Sequence, residues 1–158
     1  MYRIINCLTT QHDFRLVLVA AAVCAIAVIT TFMIYERALE SRASKKLFWF
    51  LLVGFCAASG IWSTHFVAIL AYDSGVPVSY DPGMTAVSML IAFVATSTGF
   101  FISAWGGRRW VITGGALTGL GITAMHFTGM AALNVGGAIQ WDLTLVAAAV
   151  IVGVVMTS

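Results

Sequence analysis

Charge is what this sequence has least of. Only 9% of its 158 residues are Asp, Glu, Lys or Arg, against 61% hydrophobic, whereas soluble globular domains carry about a quarter charged residues. So little charge cannot cover a surface that faces water, and a mean hydropathy of +0.99 places most of the chain in lipid. Proline is almost absent: Pro77 and Pro82 fall in one polar stretch, so no long apolar run is broken by one. The cysteines, Cys7, Cys24 and Cys56, are odd in number and lack CxxC spacing, which points to neither a disulfide framework nor a zinc site. Cys24 and Cys56 read as small packing residues inside helices. The N-terminal stretch, with Arg3, Asn6, Thr9, Thr10, Gln11, His12 and Asp13, lacks the apolar core and cleavage site of a secretory signal. The first span is therefore expected to stay in place.

What is present is a series of apolar runs of bilayer-crossing length, about 20 residues each. They predict an all-α membrane protein, a polytopic transmembrane helix bundle with spans at 14–35, 47–71, 84–105 and 110–133 and a fifth over 143–158. A helix over 143–158 would extend only about 24 Å. The expectation is therefore a single domain over 1–158, cut within its fifth helix, in a longer protein. Six of the eight basic residues, Arg37, Arg42, Lys45, Lys46, Arg108 and Arg109, fall in the connections after the first and third helices. The positive-inside rule makes that side cytoplasmic and puts the N-terminus outside, with Asp13, Asp73, Asp81 and Asp142. Aromatic residues mark the same two boundaries: Tyr35, Trp49, Trp105 and Trp110 inside, and Tyr72, Tyr80 and Trp141 outside.

The chain also repeats itself at an offset of 61 residues. Gly54 pairs with Gly115, Ala58 with Gly119, Gly60 with Gly121, His65 with His126, Phe66 with Phe127 and Ala71 with Ala132, so the bundle is expected to be built from repeated helix pairs. Small residues four apart allow close helix contact in lipid, and packing accounts for the glycines. The histidines need more. Both lie about 10 Å below the outer surface by helix rise, and an ionisable group in a span marks a functional site unless a neighbouring Ser, Thr or carbonyl simply satisfies it. His126 and Met130 are four apart on one helical face, and imidazole with thioether suits copper, especially Cu(I). Met125 points in a neighbouring direction. His12, just ahead of the first helix, is within reach of the same layer. The candidate metal ligands are thus His65, His126, Met130, Met125 and His12.

The run Gly121-Ile122-Thr123-Ala124-Met125-His126-Phe127-Thr128-Gly129-Met130, with a weaker copy at Gly60-Ile61-Trp62-Ser63-Thr64-His65-Phe66 and His12-Asp13 ahead of the first helix, resembles the MHYT domain. This is an integral membrane sensor module of bacterial signalling proteins, and the likeness covers essentially the whole chain. It implies Met, His and Tyr residues gathered near the outer face of a bacterial inner-membrane bundle. It further implies bound copper, oxygen, CO or NO as the sensed ligand, and a cytoplasmic output such as cyclic di-GMP turnover, a histidine kinase or a DNA-binding domain. Phe66 and Phe127 stand where the motif has tyrosine, and Thr64 and Ile69 where it has methionine.

Two other classes compete. A bis-histidine haem protein carrying electrons would ligate one iron through His65 and His126. A small transporter would explain the repeated pairs, although the spans hold almost no ionisable group besides these histidines. No nucleophile, base and orienting group recur together, so catalysis by this chain alone is not expected. The expected partners are the lipid bilayer, a small gas, a signalling domain in cis or trans and a second copy of the chain, with no nucleic acid.

Overall fold

The computed structural model describes residues 12–72, 78–134 and 142–158; Arg3, Cys7, Asp73, Pro77 and Trp141, invoked above for charge, cysteine, proline and aromatic placement, lie outside them. Five helices account for most of the described chain: α1 (Phe14–Glu40), α2 (Ala43–Leu70), α3 (Pro82–Ser103), α4 (Arg108–Ala131) and α5 (Leu143–Thr157). Two short strands, β1 (Ser79–Tyr80) and β2 (Leu133–Asn134), pair antiparallel at the outer end. Helices are what lipid requires, since nothing there replaces an unmade backbone hydrogen bond. The bounds match the sequence expectation to within a few residues, except that α1 runs on to Glu40 and α2 begins at Ala43. The basic connection is therefore mostly helix, turning at Ser41 and Arg42, because charged residues extend a helix readily once it has left the hydrocarbon.

Burial is distributed as a membrane protein requires. Phe14, Ile26, Phe48, Leu70 and Leu145 are exposed, while Ala38, Ala57, Ala58, Ala92, Ser88 and Thr96 are buried, so small residues sit between helices and large apolar ones face lipid. By length and apolarity α1, α2 and α3 each qualify as spans. Four full spans were expected, and α4 differs because Gly114, Gly115, Gly119, Gly121 and Gly129, which let it pack, also dilute its hydropathy.

The helix starts follow a rule that the spacing of aspartates makes visible. All three odd-numbered helices begin at the outer end with an aspartate cap: Asp13 accepts from the N–H of Arg15, Asp81 from that of Met84, and Asp142 from those of Thr144 and Leu145. The negative carboxylate also complements the helix dipole. Even-numbered helices start at the basic end without a side-chain cap. The turn from α3 into α4 uses Gly106 and Gly107 at φ 77° and 83°, a region closed to most side chains. Replacing the cap, Asp81→Ala, is expected to cost about 1 kcal/mol, read as a lowered unfolding midpoint in detergent; an unchanged midpoint would show that the cap is not contributing.

The 61-residue repeat is a repeat of contacts as well as of letters. The N–H of Asp13 bonds the carbonyl of Ala71 at 2.8 Å, and that of Asp81 bonds Ala132 at 2.8 Å, closing the α1–α2 and α3–α4 hairpins at the same end. A Cβ on Gly60 would collide with Ala27, and one on Gly121 with Ala95. Between hairpins, the hydroxyl of Thr96 donates to the Gly54 carbonyl at 3.0 Å, and that of Thr157 to the Gly115 carbonyl at 2.8 Å. Each pair sets two neighbouring helices at van der Waals contact in the same register.

Candidate functional site

Those contacts fix the depth and rotation of α2 and α4, and so bring together the two histidines of the repeat. His65 lies five residues before the end of α2 and His126 five before the end of α4. Their Nδ1 atoms are 3.2 Å apart, with ring centroids at 4.8 Å and planes at 74°. Gly129 allows this: a Cβ there would fall 2.8 Å from Nε2 of His65. That Nε2 is buried without a hydrogen-bond partner. Between neutral rings one Nδ1–H donates and the other Nδ1 accepts, so the His65 Nε2 is left either as an unpaired N–H or as an unpaired lone pair, at a cost of about 1–3 kcal/mol.

The surroundings are aromatic on the outer side, where Phe66 meets Tyr80, and apolar below, where Trp62 joins the packing. Phe66 packs on Trp62 and Tyr80, with centroids at 4.6 and 5.6 Å, and burial pushes the Tyr80 phenol above its ordinary pKa. The indole N–H of Trp62 donates to the Ser88 hydroxyl at 3.2 Å, tying α2 to α3 beside the pair. Below, Met125, Ala58 and Ala92 form a buried cluster. Alongside lies a cavity of about 640 Å³ whose wall includes Thr64, His65, Met125 and His126.

The five sequence-derived ligand candidates are thus distributed unequally. His65 and His126 touch. Met125 is buried and shares the cavity wall with them. Met130, one turn beyond His126, is partly buried and off that wall. His12 is bridged to Tyr72 at the outer end, with ring centroids at 5.3 Å. Cys24, expected to be a packing residue, is instead exposed on α1 where it borders the cavity. The cavity, and with it Met125 as the thioether beside both rings, was not legible from helical spacing.

The donor chemistry can be tested against a metal. Two imidazole nitrogens on one tetrahedral ion, each at about 2.0 Å, stand about 3.3 Å apart, so the observed 3.2 Å suits a shared ion as well as a hydrogen bond. Among the described residues no cluster of three or more His, Cys, Asp or Glu forms, so further protein donors would be thioethers, which favour Cu(I) over harder ions. A haem between the rings would need them moved apart, since no macrocycle fits a 3.2 Å gap.

The fold and the site together define a polytopic helical membrane module, assembled from repeated hairpins around a half-buried histidine pair. The chain belongs to the MHYT family, described as a bacterial signalling protein N-terminal repeat, which matches residues 59–116 and 119–158. An uncharacterized signaling protein of Caulobacter vibrioides is 40% identical over 98% of this chain and 19% of its own length. The cyclic di-GMP phosphodiesterase NbdA of Pseudomonas aeruginosa is 35% identical over 97% of this chain and 19% of its own. The bifunctional diguanylate cyclase/cyclic di-GMP phosphodiesterase MucR of the same organism is 30% identical over 94% of this chain and 22% of its own. The chain thus spans about a fifth of the length of these relatives. No solved structure matches it.

Proposed function

We propose that this chain is the sensing module of a bacterial inner-membrane signalling protein, with His65 and His126 holding copper and a diatomic gas, oxygen, CO or NO, as the signal. The observation that carries the reading is the contact of two repeat-related imidazoles at 3.2 Å inside the bundle. His65 and His126 would hold the ion, with the thioethers of Met125 and Met130 as the nearest soft donors and His12 as a further candidate from the outer end. Copper would supply an open coordination position for a small gas. The chain's own part is to couple α2 to α4 through the two rings, so that a change in their separation is felt at the basic cytoplasmic turns around Arg42 and Arg108. Gly129 leaves His65 the room for that change.

The output belongs to the rest of a longer protein, of which 1–158 is the membrane domain. The named activities of NbdA and MucR support cyclic di-GMP turnover as that output, and the chain itself is not catalytic in this reading. Purified in detergent and reconstituted with Cu(I), the protein is expected to retain about one copper per chain, by elemental analysis, and to change its absorption on exposure to CO. Absence of retained copper after reconstitution would overturn the reading; a Soret band would replace it with haem.

A further inference from the structure

The hairpin of α3 and α4 is locked at several depths. A Cβ on Gly99 would collide with the Gly114 carbonyl, one on Gly114 with the Gly99 carbonyl, and one on Gly121 with Ala95. His126 rides on this hairpin and His65 on α2, so the separation of the two rings changes when α2 moves against α3. Among the described residues two side-chain hydrogen bonds join those helices: the Trp62 indole to Ser88 at 3.2 Å, and the Thr96 hydroxyl to the Gly54 carbonyl at 3.0 Å. Gly54 stands eleven residues before His65, about 16 Å by helix rise and on nearly the same helical face.

The Thr96 hydroxyl has one proton to give and more than one place to give it. The Ala92 carbonyl of its own helix is at 2.8 Å and that of Phe93 at 3.3 Å. Thr118, Thr123 and Thr128 all bond the carbonyl four residues back, an ordinary choice for a helical threonine. The next residue, Ser97, is buried, and its hydroxyl has no partner. That oxygen lies where a Cβ on Gly54 would fall. A buried unpaired hydroxyl is costly, and this one faces the stretch of α2 backbone that Thr96 holds.

We propose that Thr96 and Ser97 form a two-position joint between α2 and α3 that sets the separation of His65 and His126. In the present position the Thr96 proton crosses to Gly54 and Ser97 is left unpaired. In the other, Thr96 turns its proton to Ala92, α2 shifts along α3, and the Ser97 hydroxyl donates to an α2 carbonyl instead. The second position gains a hydroxyl bond and gives up the present fit at Gly54 and the contact of the rings, so the two lie close in free energy. Small sliding of packed helices is a recurrent form of such a change. The joint needs no metal; it rests on the sensing reading only for what displaces the rings, and supplies that reading with the two-state element a signal must bias.

The test uses the full chain, free of metal, in lipid nanodiscs with 15N-labelled histidine. Relaxation dispersion on the ring nitrogens of His65 and His126 is expected to report one shared exchange with a minor position populated at about 0.1–10%. Thr96→Val removes the proton; the bond to Ala92 is local and adds little to the helix, so the loss falls on the present position. Its minor population is expected to rise about threefold, the worth of an average interhelical hydrogen bond in a membrane, with helicity unchanged. Thr96→Ser should return the wild-type value. Ser97→Ala removes the second donor and the unpaired hydroxyl together, and is expected to abolish the exchange. Opposite effects at neighbouring residues are what a joint requires, whereas a role in packing alone would loosen the pair in both variants, and that result would overturn the proposal. So would wild-type rings without exchange, or a minor population indifferent to Thr96→Val. If Thr96→Val does not fold, Ser97→Ala decides alone, and exchange that persists in it sinks the joint. A failure to retain copper would remove the sensing reading and leave these signals as they are, because none of them needs a metal.

Discussion

A His65→Ala, His126→Ala protein is expected to lose copper entirely under conditions where the wild type retains it, and to remain folded. The rings are the only imidazoles on the cavity wall, and two thioethers without them make a far weaker site. Retention of the fold follows from how polar groups behave in dry surroundings. Removing one ring leaves the other's Nδ1 without its partner, and His65 already carries an unpaired Nε2; removing both deletes every polar atom involved. Truncating both partners of a buried pair is therefore milder than the sum of the single changes. The double-mutant cycle, followed by thermal unfolding in detergent, should show a coupling energy of about 1 kcal/mol or more favouring the pair. Copper retained by the double variant would place the metal elsewhere, and strictly additive unfolding would mean that the rings do not interact.

Gly54→Leu and Gly115→Leu are expected to be among the most damaging single substitutions at the described residues, and to be damaging in the same way. A Cβ at Gly54 would collide with Ser97, backbone included, and one at Gly115 with the backbone of Thr157. Neither neighbour can rotate away as a flexible side chain could. Each change would also push apart a helix pair joined by a threonine hydroxyl on the glycine carbonyl. Overpacking alone costs about 1–3 kcal/mol, and loss of the buried threonine bond adds about 1–3 kcal/mol. Unfolding midpoints should fall well below those of Gly83→Leu, where a Cβ would approach only a side-chain oxygen of Asp81 at 3.2 Å. Similar midpoints for all three variants would show that the interhelical glycines are not close-packed in the membrane.

Much of this was readable before any coordinates. The helix bounds followed from apolar run length, because lipid leaves the backbone no alternative to a helix. Arg37, Arg42, Lys45, Lys46, Arg108 and Arg109 stand at one end of both hairpins, as their places along the chain implied. The likeness of Met125-His126-Phe127-Thr128-Gly129-Met130 to the MHYT motif agreed with the family match across both repeats. The candidate site was less legible. His126 and Met130 share a helical face by spacing, yet the methionine on the cavity wall with both histidines is Met125. Spacing fixes which residues of one helix point the same way, but not how that helix is rotated against its neighbours. That rotation is set by Gly121 against Ala95 and Gly119 against Gly153.

By itself the sequence determined that the chain lives in lipid, where the described helices lie along it, that it repeats, and how near the ends of their helices its histidines stand. Each of these depends on local composition or on distance along one helix. Only the tertiary structure decided that His65 and His126 touch, that Phe66 and Tyr80 cover them while α1 and α5 leave a cavity beside them, and that the repeat is one of contacts. Those facts depend on which helices are neighbours and at what rotation, and small residues set both through close approaches that no single helix contains.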